Sequence, residues 1–485
     1  MTELPQGWTK KTLKELGVVA QPGFASGKHN RDGGLVHLRP MNISRDGKIV
    51  LSDVRFIEDS SERRVRFGDV LFNNTNSPAL VGKTAFVTSE KPLAYSNHMT
   101  RLRPLDNLDS KFLATQLHWL WMQGYFKTVL NNHVNQASVA SKTLLQTEIV
   151  VPPLPEQKFI VATLEKILTR LATGTEATNF ALQKAAQLNK LIEDHAVLGL
   201  AELPIEHEGS GQDSLSLVTS SRQQMVTKSK KQAHQPESSR YVFPEHWTIA
   251  SVDQLCWKIE YGTSAKCHST SSGSDIPVIR MGNIQAGSID MANLKYLPTA
   301  HPDVAKLFLN NGDLLFNRTN SAELVGKSAV YKDIYGPATF ASYLIRCRFL
   351  DGVIPEWVNL VINSSLGRSY IKSVASQQVG QANVNGTKLA RMPIPFPPLR
   401  EQQRILNNVR TQKGALSAMV NSTSSLNGNF ETLKASILDS AFSGSLGSVG
   451  VEQVVSQGVE HQSKPANDKI CGTQLLIDDD SLGGL

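Results

Sequence analysis

The chain has 485 residues, enough for two or three domains, and its 40% hydrophobic and 19% charged content is that of an ordinary globular protein. The opening MTELPQGWTKK has no apolar core and no run of 18 apolar residues occurs, which argues for a cytoplasmic protein without a membrane span. Lys and Arg exceed Asp and Glu by 50 to 43, a mild basicity that permits a nucleic-acid partner without requiring one, and Cys256, Cys267, Cys347 and Cys471 contain no C-x-x-C pair, which favours reduced thiols over zinc or disulfides.

From the N-terminus, short apolar runs read as strands: LVHLRPMNI (35–43), DVRFI (53–57), DVLFN (69–73), KTAFV (83–87) and TRLRP (100–104), parted by Gly, Asn, Asp and Ser turns. SKFLATQLHWLWMQGYFKTVL (110–130) reads as helix, with Phe112 and Tyr125 at core spacing. After PPLPEQ (152–157) a long helix begins at Glu156. Its stripe runs through Ile160, Leu164, Ile167, Leu171, Leu182, Ala185, Leu188 and Ile192, and Pro204 ends it. Residues 206–239, rich in Ser and Gln, read as a flexible linker in which Lys228, Lys230 and Lys231 are solvated.

The same plan then returns. GDVLFNNTNSPALVGKT (68–84) reappears as GDLLFNRTNSAELVGKS (312–328), with twelve of seventeen positions identical. Trp8 answers Trp247, Arg39 and Asn42 answer Arg280 and Asn283, and Arg101 and Arg103 answer Arg346 and Arg348. PEWVNLVINSSLGRSYIKSVA (355–375) repeats the helix, pairing Trp357 with Phe112 and Tyr370 with Tyr125. PPLREQ (397–402) opens a second long helix whose seam is Ile405, Val409, Leu416, Met419, Leu426, Phe430, Leu433 and Ile437. A narrow stripe of this kind needs a partner helix, and rods of roughly 65 Å result at 1.5 Å per residue.

The segments are therefore a β-rich domain (1–152), a central helix (153–203), a linker (204–240), a second β-rich domain (241–396), a C-terminal helix (397–446) and a disordered tail (447–485) with Asp478, Asp479 and Asp480. The fold class is α+β: two β-rich domains in tandem pseudo-repeat, each followed by a long helix. Neither G-K-[ST] ending is a P-loop, because Ser77 and Ser321 stand where the first glycine belongs.

The order and duplication of these elements resemble the specificity subunit of Type I restriction-modification enzymes over about residues 1–446. LNKLIEDHAVLGLAEL (188–203) and LKASILDSAFSGSL (433–446) are similar to that family's closing segments. The resemblance implies two target recognition domains, each reading half of a split sequence in double-stranded DNA, and two helices packed as an antiparallel coiled coil that sets the spacing. It also implies two methyltransferase subunits and restriction (translocase and nuclease) subunits as partners. S-adenosylmethionine, ATP and Mg would belong to those partners, and this chain would carry no cofactor and no catalytic residue.

The candidate DNA-binding residues are Arg39, Asn42, Asn73, Asn74, Asn76, Lys83, Arg280, Asn283, Asn317, Arg318, Asn320 and Lys327. Asparagine suits adenine edges and arginine guanine edges. Asn74 stands where the second copy has Arg318, so this position is expected to face a base; the competing explanation is a turn that favours Asn and Ser for backbone reasons. Residues shared by both copies would touch phosphate or hold the fold. Phosphate contact is expected of Lys83 and Lys327, fold or function equally of Asn42 and Asn283, and a structural role of Asp69 and Asp313. No [DNS]-P-P-[FYW], H-E-x-x-H or G-x-S-x-G motif occurs, and the twelve histidines are scattered. Two other classes stay open: a duplicated protein-interaction module, and a nuclease whose carboxylates meet only in the fold.

Overall fold

Each half of the duplication is built around a four-stranded antiparallel sheet with the same strand order. In the first half the order is Val19–Pro22, Met99–Arg103, Val70–Asn73, Thr84–Phe86; in the second it is Cys256–Tyr261, Leu344–Phe349, Leu314–Asn317, Ser328–Val330. The central strands Val70–Asn73 and Leu314–Asn317 are buried at every position, as their apolar runs require. The computed structural model describes residues 4–446 except 27–28, 31–32, 59–61, 134–135, 202–208, 226–231 and 379. The tail 447–485 and Lys228, Lys230 and Lys231 lie outside the described residues.

The chain divides into two compact units, Met1–Ala177 with Leu426–Leu485, and Thr178–Ser425. Each unit thus holds one β-rich domain and an end of each long helix. Strand Thr9–Thr12 pairs with Glu148–Val151, and Thr248–Ser251 with Pro393–Phe396, so each domain closes where its long helix begins. The PPLxEQ motif makes that junction. Gln157 Nε2 donates to the Pro152 carbonyl at 2.8 Å, and Gln402 Nε2 to the Pro397 carbonyl at the same distance, both side chains being fully buried. A second sheet in each unit contains one parallel pair, Leu35–Leu38 with Leu93–Tyr95 and Ile276–Ile279 with Thr339–Phe340.

The long helices span Leu154–Val197 and Leu399–Ser443. In the first unit Ile160 and Leu164 share a core with Ile437, Leu438 and Phe442, while Gly174 lies against the Phe430 ring, an antiparallel pairing. In the second, Ile192, Ala196 and Val197 share a core with Ile405 and Val409, and Glu193 pairs with Lys413 at 2.6 Å. Leu188, Met419 and Leu426, expected in the seam, are about half exposed, because two helices cover only a narrow stripe of each other.

Two other expectations need correction. The single helix over 110–130 is two, Ser110–Met122 and Tyr125–Val129, broken at Gly124 with φ 79°; its counterpart is Pro355–Asn363 and Ser365–Val374. The segment read as a flexible linker contains the helix Gly211–Met225, anchored by Leu215 and Val218 in the second unit's core and by Arg222 on the Cys256 carbonyl at 2.9 Å. Beyond it, His234 Nδ1 meets Asp253 at 2.8 Å.

The returning strand of each four-stranded sheet is capped by equivalent residues. His118 Nδ1 accepts from the Thr84 amide at 3.3 Å, and Asn363 Oδ1 from the Ser328 amide at 3.3 Å. His118 Nε2 therefore carries the proton and donates to the Arg45 carbonyl at 3.0 Å. Burial lowers its pKa to about 4. The unfolded chain takes up this proton near pH 6.5, so the folded state holds its full stability above that value and loses it as pH falls towards 4. His118→Asn, copying Asn363, is expected to remove about 3 kcal/mol of that pH dependence. Melting temperatures of both proteins between pH 4 and 7 check it; parallel curves would contradict it.

Candidate nucleic-acid interface

The loop between the central and returning strands, residues 73–84 and 317–328, carries most of the candidate residues. Its shape is fixed at both ends. The Asn73 amide donates to the Lys83 carbonyl at 2.9 Å, the Gly82 amide to the Asn73 carbonyl at 2.9 Å, and Asn73 Nδ2 to the Leu80 carbonyl at 3.0 Å. Asn317, Lys327, Gly326 and Leu324 repeat this set at 2.8, 2.7 and 3.4 Å. Gly82 (φ 98°) and Gly326 (φ 82°) adopt the left-handed conformation against Phe126 and Ile371, where a Cβ would sit 2.4 and 2.5 Å from side-chain atoms. The repeated G-K-[ST] is thus a turn packed beneath a helix.

Several candidates serve the fold. Asn42, 3% exposed, accepts from the Arg39 amide at 2.9 Å and donates to the Val50 and Asp53 carbonyls at 3.0 Å each. Asn283 does the same with Arg280, Asp290 and Ala292 at 3.0, 2.9 and 2.8 Å. Asp69 accepts from Arg103 Nε and Nη2 at 2.7 and 2.8 Å, and Asp313 binds Arg348 and Arg346, which supports the structural role expected of both. Instead of reaching for phosphate, Lys83 is 5% exposed and donates to the Ile43 carbonyl; burial and nearby Arg45 lower its pKa. Asn74 spends both amide hydrogens on Thr75 Oγ1 (3.0 Å) and the Asn97 carbonyl (3.3 Å) and accepts from Thr100 at 3.1 Å. Its donors are used up, which leaves the base-facing role expected there without a free donor.

Of the remaining candidates, Arg39 is held by Asp53, on its carbonyl at 3.3 Å and its carboxylate at 3.5 Å, and the others keep polar groups unspent. Asn76 and Asn320 each accept from the following serine amide at 2.8 Å, and both side chains are half-buried. Arg318 lays its guanidinium on Tyr261, 4.8 Å from the ring centre, and its Nε has no hydrogen-bond partner. In the second unit a cleft of about 540 Å³ brings Arg280, Asn317, Asn320 and Lys327 together with Met281 and Tyr343. None of its lining residues is acidic, and Asn317 Oδ1 there is buried without a partner. Sequence reasoning missed Tyr261 and Tyr343, 45% and 51% exposed. Tyr343 occupies the position of His98, each lending its carbonyl to the loop amide of Arg318 or Asn74, so aligning the two copies would have found it. Among the described residues no cluster of His, Cys, Asp and Glu could hold a metal ion, and no helix is long and apolar enough to cross a membrane.

The family described as the Type I restriction modification DNA specificity domain matches residues 5–179 and 244–411. The chain is 23% identical to the Escherichia coli K12 Type I restriction enzyme EcoKI specificity subunit, over 92% of this chain and 90% of that one. It is 22% identical to the StySPI specificity subunit of Salmonella potsdam over the same shares. By fold it is similar to the HsdS subunit from Thermoanaerobacter tengcongensis (TM-score 0.52, 19% identity, covering 92% and 99% of the two chains). It is also similar to a chain of a solved type I R-M system (TM-score 0.63, 19% identity, 92% and 100%).

The division between side chains bonded into the fold and those left at the surface has a direct consequence. Asn283→Ala takes the side-chain partner from three part-buried backbone groups, those of Arg280, Asp290 and Ala292, and is expected to cost on the order of 2–3 kcal/mol, lowering the melting temperature by roughly 5–10 °C. Asn320→Ala should stay within about 0.5 kcal/mol of wild type. Thermal denaturation of the two variants checks this, and equal shifts would contradict it.

Proposed function

The chain belongs to the family of Type I restriction-modification DNA specificity subunits, and from that premise we infer that each of its β-rich domains reads one half of a split DNA target. The observation that carries this reading is the doubled loop. One scaffold, braced by Asn73 or Asn317, presents different side chains in its two copies: Asn74 with His98 in one, Arg318 with Tyr343 in the other. Two readers of one shape and unlike chemistry suit two unlike half-sites. Arg318, with its planar fork held on Tyr261, suits a guanine edge in the second half-site.

In this reading the long helices govern the gap between the halves and dock two methyltransferase subunits, with restriction subunits completing the complex. Adenine methylation with S-adenosylmethionine, and cleavage driven by ATP and Mg, are then the partners' work, and this chain supplies selection alone. The protein-interaction alternative has no comparable support, since it gives no reason for a basic cleft beside a loop of amide side chains.

Single-molecule sequencing of DNA from cells expressing the chain with its neighbouring methyltransferase subunit tests the reading. The expected result is modified adenine within a motif of two unequal halves around a fixed gap; a continuous motif would contradict it. Arg318→Ala should relax one base pair of one half by about 1–3 kcal/mol and leave the other half unchanged. Relaxation of both halves would rule out the assignment of Arg318.

A further inference from the structure

The two copies keep the same pair of cations and treat their charge differently. In the first unit Arg39 donates to the Asp53 carbonyl at 3.3 Å and forms an ion pair with the Asp53 carboxylate at 3.5 Å, while Lys83 is folded inward onto Ile43. In the second, Arg280 makes the equivalent bond to the carbonyl of Asn293 at 2.6 Å, and here the side chain at that position is an amide. No carboxylate pairs with Arg280 among the described residues. Lys327 is half-buried where Lys83 is fully buried, and its ammonium has no hydrogen-bond partner among the described residues. Both cations line the same cleft, which has no acidic residue in its wall.

We propose that the cleft of the second unit is an anion site for a backbone phosphate of the DNA, held by Arg280 and Lys327, and that the first unit has no equivalent because Asp53 and the inward turn of Lys83 neutralise it. This rests on the DNA-reading function above and deepens it: the two units grip DNA unequally. A phosphate placed between the two side chains gains charge-assisted bonds from both, in a cleft whose wall offers no competing negative charge. Arg280 is prepositioned for this task. One nitrogen is anchored on the Asn293 carbonyl; Nε is buried without a partner in Arg39 and Arg280 alike, so what sets Arg280 apart is the absence of a paired carboxylate. Asn320, in the same wall, would then lie beside the sugar-phosphate strand, so that the anion site sets the register of the base-reading loop.

The carboxylate that separates the two arginines can be moved in either direction. Asn293→Asp gives Arg280 the carboxylate that Arg39 has. Asn293 sits at φ 53°, a conformation that Asp also adopts, so the fold is retained. Lys327→Met removes the second cation while keeping most of the methylene packing. Asp53→Asn and Lys83→Met are the matching changes in the first unit. The measurement is affinity for a duplex carrying the chain's own target, from about 50 to 200 mM salt, with the full chain in complex with the subunits that co-purify with it.

Each second-unit variant is expected to flatten the slope of log affinity against log salt by about 0.9 and to weaken binding about 8-fold at 0.1 M salt. Lys83→Met should leave the slope unchanged, and Asp53→Asn should leave it unchanged or steepen it. Wild-type slopes in both second-unit variants, alongside steep wild-type binding, would overturn the anion site and leave the DNA-reading function standing. Equal flattening by Lys83→Met and Lys327→Met would overturn the asymmetry. A wild-type complex without salt-dependent DNA affinity would overturn the DNA-reading function itself. Titration of the DNA-free complex with pyrophosphate distinguishes the source of the anion: micromolar binding lost in Lys327→Met would point to a free anion and overturn the backbone assignment.

Discussion

A buried asparagine at the end of the central strand, Asn73 in one unit and Asn317 in the other, ties the loop beyond it back to the sheet. Its backbone bonds both ways with the Gly-Lys turn just before the returning strand, and its side-chain nitrogen reaches a loop carbonyl seven residues on. The glycine that closes the loop then packs under a helix with no room for a Cβ. These contacts fix where residues 74–76 and 318–320 stand. In the proposed function, a loop held in this way loses little conformational entropy on binding, which is the general advantage of preorganised recognition.

Fixing the scaffold frees the surface to vary. The elements that both copies keep are inward ones: the Asn42 and Asn283 ties, the Asp69–Arg103 and Asp313–Arg348 pairs, and the Gln157 and Gln402 helix starts. The positions at which the copies differ, Asn74 against Arg318, His98 against Tyr343 and Asp53 against Asn293, lie at the loop or beside it. Change at such positions leaves two surfaces of unlike chemistry on one frame.

Much of this was legible in the sequence because the repeat displays it twice. The strand before the loop, the helix-entry motif and the long helices follow from apolar runs, prolines and heptad spacing, whose physics is local. The inward turn of Lys83 was not legible, since its acceptor at Ile43 lies 40 residues away and only the fold joins them. The helix Gly211–Met225 was missed for a related reason. Its Ser- and Gln-rich sequence has weak propensity, and burial of Leu215 and Val218 against the second unit holds it. Asn42 and Asn283 left fold and function evenly matched until their three bonds each were seen. The difference between Arg39 and Arg280 was hidden in a single partner, Asp53 or Asn293, ten or more residues along the chain.

The central claim is that each β-rich domain is a self-contained reader on a common frame. The most direct measurement is the modified motif produced by a chain in which residues 5–152 replace residues 244–396, read by single-molecule sequencing of cellular DNA. The account predicts a split motif whose two halves carry the same sequence, that of the wild type's first half. A motif that keeps the wild type's second half would contradict it.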